Sequence, residues 1–254
     1  MTFIQQIRED RQNLKGMPWK ERVPYIFTYY KIPTIAVAAV LIVVVSLIYT
    51  NVSAKEPALS GILLNCYNID SMPTQQDSAD FSGDFLEELG LDSTEYSLSF
   101  RRNITYAQGS DSSYSDYQSL MTIMACVASE EVDFITGDLN PMVGLAYQDY
   151  FADLPQVLGE EQYAYYEPYF LYVDLAVLES IHAQASDPNA PSVEIPDCRE
   201  PETMERPVPV LIDMSGSGEL QSAYDDLADT LAFGFVANAP HPENTLKYID
   251  YLMR

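Results

Sequence analysis

The chain has 254 residues, 47% of them hydrophobic, with 38 acidic and 13 basic residues and a formal net charge of -25. This hydrophobic content excludes a disordered chain, and the length suffices for one sizeable domain or two small lobes. Three of the acids and six of the bases lie within residues 1–50, so the remainder carries 35 acids against seven bases. A surface this acidic repels phosphate backbones, which argues against nucleic-acid binding.

Residues 32–50 are predicted to form a single transmembrane helix. The run 32–49 carries no charge, and about 20 apolar residues are needed to cross the hydrocarbon of a bilayer. Six bases precede the run, so residues 1–31 are predicted to be a cytoplasmic segment and the acidic part to be extracytoplasmic. Two alternatives stay open, a buried core helix and a signal peptide cleaved after Ala54. The role of the cytoplasmic segment stays open too.

The cysteines are Cys66, Cys126 and Cys198, and no C-x-x-C spacing occurs among them. An odd count without this spacing argues against a disulfide framework and against a cysteine-rich metal site. Cys66 and Cys126 stand among apolar residues, which favours burial. One disulfide remains open.

After a short tether at 51–58, the extracytoplasmic domain at 59–254 begins with alternating strands and helices. The predicted elements are a buried strand at 61–66, a short helix at 85–89 that stops at Gly90, a half-exposed strand at 94–102, a helix at 115–131 and a strand at 132–138. In the second of these helices, one apolar face is predicted from helical spacing: Tyr117, Leu120, Met121, Met124 and Val127. Gly137 is expected to let the chain turn before Asp138.

The second half is less regular. The predicted elements are a helix with Asn140 as its cap and Pro141 at its first position, a strand that becomes helical within 164–182, a strand at 208–214, a helix after 217, a strand at 232–239 and a final amphipathic helix at 241–254. Residues 183–209 are rich in proline and acids, which predicts a loop or insertion. The order predicts an α/β fold with a mostly parallel sheet and flanking helices.

Two segments carry a family resemblance. They are SEEVDFITGDLNPMVGLAYQDYFADLPQVL at 129–158 and AFGFVANAPHPENTLKYIDYLM at 232–253. The pair resembles the type 2 extracellular solute-binding proteins of bacterial importers. The matching positions are Phe151, Asp153, Leu154 and Leu158 in the first segment, and Asn238, Pro242, Leu246, Lys247, Tyr248, Ile249, Asp250, Tyr251 and Leu252 in the second.

The resemblance implies a domain outside a bacterial cell membrane that binds a small solute or peptide, or a transport or envelope partner, without a cofactor. The acidic part is shorter than is usual in that family, so the second lobe is expected to be reduced. Sugar-binding members often use tryptophan platforms, whereas Trp19 is the only tryptophan here and lies in the predicted cytoplasmic segment. Tyrosine, present 19 times, could take that role because its ring also stacks on sugars and cations.

The candidate ligand-binding residues are those that follow predicted strands, because ligands of open α/β sheets bind beyond the carboxyl ends of the strands. They are Asn65, Tyr67, Asn68, Asp138, Asn140 and Asp213. The alternative for each is that asparagine and aspartate simply cap helices and shape turns. The stretch SGSGE at 215–219 could bind an anion through backbone amides, but a turn with a serine cap explains it better.

Catalytic patterns are weak, so the chain is predicted not to be an enzyme. His182 and His241 are the only histidines, which leaves no histidine-rich zinc site or serine–histidine triad, and no metal site is predicted. Two further interpretations remain open, an interaction or scaffold domain that binds no ligand and an envelope hydrolase that uses carboxylates.

Overall fold

The structure is a computed structural model that describes residues 17–22, 24, 35–36, 38–46, 55–66, 83–107, 114–186, 193–224 and 230–254. The chain divides into two compact units, Met1–Ala54 and Lys55–Arg254. In the first unit, residues 19–22, 24, 35–36 and 38–46 are helical. Within the described residues, no helix combines the length and the apolar character that membrane crossing requires. The span predicted at 32–50 includes residues outside this description at both ends, and it stays a prediction.

The second unit, Lys55–Arg254, alternates strands and helices. Its strands are β1 (Glu56–Leu64), β2 (Tyr96–Ile104), β3 (Phe134–Asp138), β4 (Phe170–Asp174), β5 (Pro207–Asp213) and β6 (Leu231–Phe235). Its helices are α1 (Phe85–Glu88), α2 (Tyr114–Ala128), α3 (Leu139–Ala146), α4 (Leu154–Val157), α5 (Glu160–Tyr166), α6 (Leu175–Ser186), α7 (Gly218–Ala223) and α8 (Pro242–Leu252), with 3-10 turns at Glu167–Tyr169 and Pro201–Thr203. The predicted α/β class is confirmed.

The six strands form one mixed sheet in the order β2-β1-β3-β6-β5-β4. β1 is parallel to both β2 and β3, as the two helical crossovers of the first half require. β6 runs antiparallel to β3 and to β5, and β4 runs antiparallel to β5. The prediction of a mostly parallel sheet is therefore wrong for the second half. The periodicity of a strand does not report its direction, and β6 enters the sheet from near the end of the sequence.

The two faces of the sheet carry separate hydrophobic cores, because side chains alternate along each strand. Leu63 and Phe134 belong to the first core, whereas their neighbours Leu64 and Ile135 belong to the second. The helices contribute Phe85, Leu154, Tyr166, Leu220 and Tyr248 to the first core, and Ile123, Met142 and Leu178 to the second. Helices thus cover both faces, and the strand ends are left at the two edges of the layer.

Two predicted boundaries need correction. β1 begins at Glu56, inside the predicted tether at 51–58, because Glu56 already pairs with Tyr96 of β2. The predicted loop at 183–209 overlaps the end of α6 and the start of β5.

The described part of that predicted loop packs on β4. Tyr172 N donates to Cys198 O at 2.8 Å, and the buried Asp174 carboxylate accepts the backbone N–H groups of Glu205 at 2.8 Å and Arg206 at 3.0 Å. The residues between 193 and 209 are therefore part of the folded unit.

Candidate functional site

Four strands end at one edge of the sheet, which we call the carboxyl edge. β1 and β2 end together, with Leu64 opposite Ile104. Asp138 at the end of β3 pairs with Leu231, the first residue of β6, and Asp213 at the end of β5 pairs with Ala232. The candidate ligand-binding residues follow predicted strands, so they are expected to lie at this edge.

Asn65 is the residue that closes β1 at this edge. Its backbone adopts the left-handed conformation with φ of 56°, which asparagine tolerates better than most residues. Its side-chain Nδ2 donates to the carbonyl oxygen of Tyr106 at 3.1 Å, and its Oδ1 accepts the backbone N–H of Tyr106 at 2.9 Å. Asn65 therefore clamps the chain that leaves β2 against the end of β1.

The same Asn65 amide also reaches Asp138. Nδ2 donates to Asp138 Oδ2 at 3.0 Å, across 73 positions of sequence. Asp138 occupies the N-cap position of α3, yet its side chain makes no capping hydrogen bond to that helix. The carboxylate points instead to Asn65, and within the described part of the chain Oδ1 has no hydrogen-bond partner. Capping, the alternative explanation for an aspartate at this position, does not account for Asp138.

A buried tyrosine lies close to Asp138. The Tyr224 hydroxyl donates to the carbonyl oxygen of Thr136 at 3.0 Å. Burial raises the pKa of Tyr224 well above its usual value, and the nearby Cys66 and Asp138 raise it further. Cys66 in turn donates its thiol to Ala223 O at 3.0 Å. Hydrogen-bonded Tyr224 and Cys66 thus back this part of the carboxyl edge, and the nearby Arg102 acts in the opposite direction on Tyr224 by lowering its pKa.

Gly137 allows β1 and β3 to approach at this point. A Cβ atom at this residue would meet Leu64 Cβ at 2.7 Å and the Leu64 carbonyl oxygen at 3.1 Å. Gly137 lies within β3 and its φ is not positive, so the prediction that it lets the chain turn is wrong. The missing side chain lets β3 lie close to Leu64 of β1, next to the contact between Asp138 and Asn65.

Asp213 also lies at the carboxyl edge, but β6 separates it from Asp138. Two strand spacings of about 4.8 Å put β3 and β5 roughly 10 Å apart. Its carboxylate accepts the backbone N–H of Ser215 at 2.9 Å and Arg199 Nη2 at 3.1 Å. Burial alone would raise the pKa of Asp213, but the hydrogen bonds from Ser215 and the guanidinium of Arg199 lower it below its usual value. The carboxylate of Asp213 therefore orders its own loop.

The other selected positions contribute less. Asn140 is exposed in the first turn of α3, and Tyr67 and Asn68 lie outside the described residues. The serine cap predicted in SGSGE is confirmed, because Ser217 Oγ accepts the backbone N–H of Leu220 at 3.3 Å. The same hydroxyl donates to Leu252 O at 2.6 Å, which ties α7 to α8.

One polar cluster was not anticipated from the sequence. Asp133, at the opposite edge where β3 begins, is completely buried. Its Oδ2 accepts Ser60 N at 2.7 Å and lies 3.1 Å from His241 Nδ1, and its Oδ1 accepts His241 N. The available signal was an acid between Val132 and Phe134 inside an apolar run. The cluster connects β1, β3 and the start of α8, so its role is to hold the fold together.

The thiols and the acids of the described residues do not form a metal centre. Cys66, Cys126 and Cys198 are free and buried, as predicted for the first two. Among the described residues, no three histidine, cysteine or acidic side chains are close enough to hold a metal ion. The carboxyl edge is instead an arrangement in which a partly exposed carboxylate, that of Asp138, lies beside the side-chain amide of Asn65.

Comparison of the chain with protein-family models, with curated proteins and with solved structures found no match in any of the three. No family membership follows from these comparisons.

Proposed function

We propose that residues 55–254 bind a small solute or peptide at the carboxyl edge, in the manner implied by the resemblance to solute-binding proteins of bacterial importers. The observation that carries the proposal is the pair Asn65 and Asp138. The Asp138 carboxylate is half-exposed and is held by one hydrogen bond from Asn65 without capping its own helix. Such a carboxylate is suited to accept a hydroxyl or ammonium donor of a ligand.

In this proposal the unit is a solute-binding-protein-like domain with a reduced second lobe, since its described strands form one sheet. It would act without a cofactor and without catalysis. Its partner would be a transport or envelope protein that receives the ligand.

The proposal also has a membrane part. The uncharged run at 32–49, with six basic residues before it and an acidic domain after it, supports a single-pass anchor with its N-terminus in the cytoplasm. A chain extracted from membranes by detergent but not by alkaline carbonate would support the anchor. Recovery of a chain that begins at Lys55 would instead favour cleavage after Ala54.

Thermal unfolding of the purified chain tests ligand binding. Amino acids, sugars, short peptides and divalent cations are screened, and one class should raise the melting temperature in a concentration-dependent way. The Asp138→Asn variant should lose most of that shift. Asp153→Asn is the control, because it removes the same charge at the opposite edge of the sheet. Asp153 lies near Phe151, which pairs with Val236 just beyond the end of β6. This variant should retain the shift in melting temperature.

An interaction or scaffold domain is the alternative. One observation favours it, because both Asn65 and Asp213 use their polar atoms in bonds within the chain. If no compound changes the melting temperature, or if both variants respond equally, the scaffold is the better interpretation.

A further inference from the structure

A stripe of large apolar side chains lies exposed along α2. The sequence predicts one apolar face with Tyr117, Leu120, Met121, Met124 and Val127, and the structure packs Leu120 and Val127 of this face against the second core. Tyr114 is 77% exposed, Tyr117 60%, Met121 46% and Met124 44%. The side chains of α2 that are buried against the second core are Ile123 and Cys126. The apolar surface of α2 is therefore wider than the sheet can cover.

The stripe has the spacing of a helix–helix contact. Tyr114, Tyr117, Met121 and Met124 recur at alternating intervals of three and four residues, the a and d positions of two heptads. Side chains at these positions fit between those of a second helix with the same spacing. A helix that packed only against its own sheet would carry polar residues here.

The stripe also has no charge. Residues 117–129 contain no acidic or basic residue, and Asp116 is buried, with its Oδ1 accepting Ala107 N at 2.9 Å. The rest of the surface belongs to a chain of net charge -25. Two copies of the chain repel each other across most of that surface, and the repulsion is smallest where α2 faces α2.

A partner of another kind fits less well. A basic protein would be attracted to the acidic surfaces and not to this uncharged stripe, because complementary charge directs such encounters. A second α2 presents the same a and d residues, so the surface is complementary to itself about a two-fold axis. An antiparallel pair would also set the two helix dipoles in opposite directions.

The available area is sufficient for a weak dimer. A fully covered aromatic side chain contributes about 150–250 Å². Since the two tyrosines and two methionines are 44–77% exposed, the stripe offers at most roughly 500 Å² on each copy and about 1,000 Å² in total. Specific interfaces begin near about 1,000 Å² of total buried area. The area lies at the low end for a specific interface, so a weak, reversible dimer is expected.

We propose that two copies of this chain associate through the exposed stripe of α2, Tyr114, Tyr117, Met121 and Met124, as an antiparallel two-fold helix pair. This proposal is independent of the ligand proposed for the carboxyl edge. Dimerisation would place two acidic units side by side with their α2 helices in contact.

Sedimentation of the full chain in detergent solution, over a range of micromolar concentrations, tests the proposal. The wild-type chain should pass from monomer to dimer as concentration rises. Tyr117→Lys should raise the dissociation constant at least about tenfold, because a central tyrosine at an interface commonly carries this much binding energy. Tyr165→Lys is the matched control, since Tyr165 is 59% exposed on α5 and the charge change is identical.

Two results would overturn the proposal. One is a wild-type chain that stays monomeric throughout, which would leave the stripe to another protein or to a segment of the same chain. The other is a dimer that Tyr117→Lys and Tyr165→Lys weaken equally. Far-UV circular dichroism checks that both variants are folded.

Cross-linking supplies a second readout. In the antiparallel pair that brings all four side chains together, Tyr117 of one copy faces Met121 of the other, because the midpoint of the stripe lies between them. A mixture of Tyr117→Cys and Met121→Cys chains should therefore form disulfide-linked dimers under mild oxidation, and a mixture of Tyr165→Cys and Met121→Cys chains should not. The native thiols are buried and do not compete. Equal cross-linking in the two mixtures would contradict the helix pair.

Discussion

Replacement of Asp133 by asparagine should destabilise the unit Lys55–Arg254 by about 1–3 kcal/mol. The Asp133 carboxylate is completely buried and joins three parts of the fold. It accepts the backbone N–H of Ser60 in β1 and of His241 before α8, and it faces the His241 ring. Asparagine has nearly the same shape as aspartate, but one of its two terminal groups is an NH₂, which donates hydrogen bonds and accepts none.

The magnitude follows from the three contacts of the Asp133 carboxylate. Asparagine retains one carbonyl oxygen, which serves best in the place of Oδ2, where it still accepts Ser60 N. The new NH₂ group then lies against the backbone N–H of His241, and that donor loses its acceptor. A buried donor without an acceptor lowers the free energy of unfolding by about 1–3 kcal/mol. Asp133→Ala leaves both backbone N–H donors without an acceptor, so its expected effect is roughly twice as large.

Urea unfolding of residues 55–254, followed by far-UV circular dichroism, measures both variants. The two core clusters of this unit are built from its own residues, so it can be studied alone. Asp149→Asn is the control, because Asp149 is exposed and asparagine also tolerates its φ of 65°. A free energy of unfolding for Asp133→Asn within about 0.5 kcal/mol of the wild type, the range of ordinary surface substitutions, would show that these hydrogen bonds do not stabilise the unit. The same conclusion follows if Asp133→Ala is as stable as Asp133→Asn.

Two other substitutions test the strand ends. Gly137→Ala should lower the free energy of unfolding by about 1–3 kcal/mol, because the new methyl group would meet Leu64 Cβ at 2.7 Å. Urea unfolding measures this change, and an unchanged unfolding midpoint would contradict the prediction. Burial alone would raise the pKa of Asp174, but hydrogen bonds from the backbone N–H groups of Glu205, Ala176 and Arg206 lower it below its usual value. Asp174→Asn should therefore cost about 1–3 kcal/mol at neutral pH. The lowered pKa contributes stability above the unfolded value near 4, and that contribution is lost as the pH falls through the folded pKa. The difference in stability between wild type and Asp174→Asn, measured by thermal melting, should thus become smaller as the pH is lowered. A difference that grows on acidification would exclude this explanation.

The meeting of Asn65 with Asp138 was predictable because it depends on strand direction in the first half only. The order β1-α1-β2-α2-β3 fixes parallel strands whose carboxyl ends share an edge. Residues just after those ends are then neighbours, although 73 positions separate them. What could not be predicted is that Asp138 leaves its helix uncapped, since that depends on the side-chain torsion of one residue.

Other features depend on tertiary contacts that periodicity does not encode. The direction of β6 is set by its place between β3 and β5, not by the apolar residues from Leu231 to Phe235. The exposed stripe of α2 has the apolar spacing of a buried face, so the sequence alone does not distinguish Met121 and Met124 from core residues. Asp133 is one of 38 acidic residues, and the sequence does not single it out because its partners Ser60 and His241 are 73 and 108 positions away.

The position of β6 has a consequence for how the chain acquires its structure during synthesis. β6 is the strand that joins β3 to β5, and its contact between Thr136 and Ala232 spans 96 positions. Until β6 has left the ribosome, β3 and β5 lack the strand that lies between them, and both would have an open edge. Open strand edges are sites of mispairing and aggregation. This unit therefore completes its sheet only after nearly all of it has been made, and it needs protection until then.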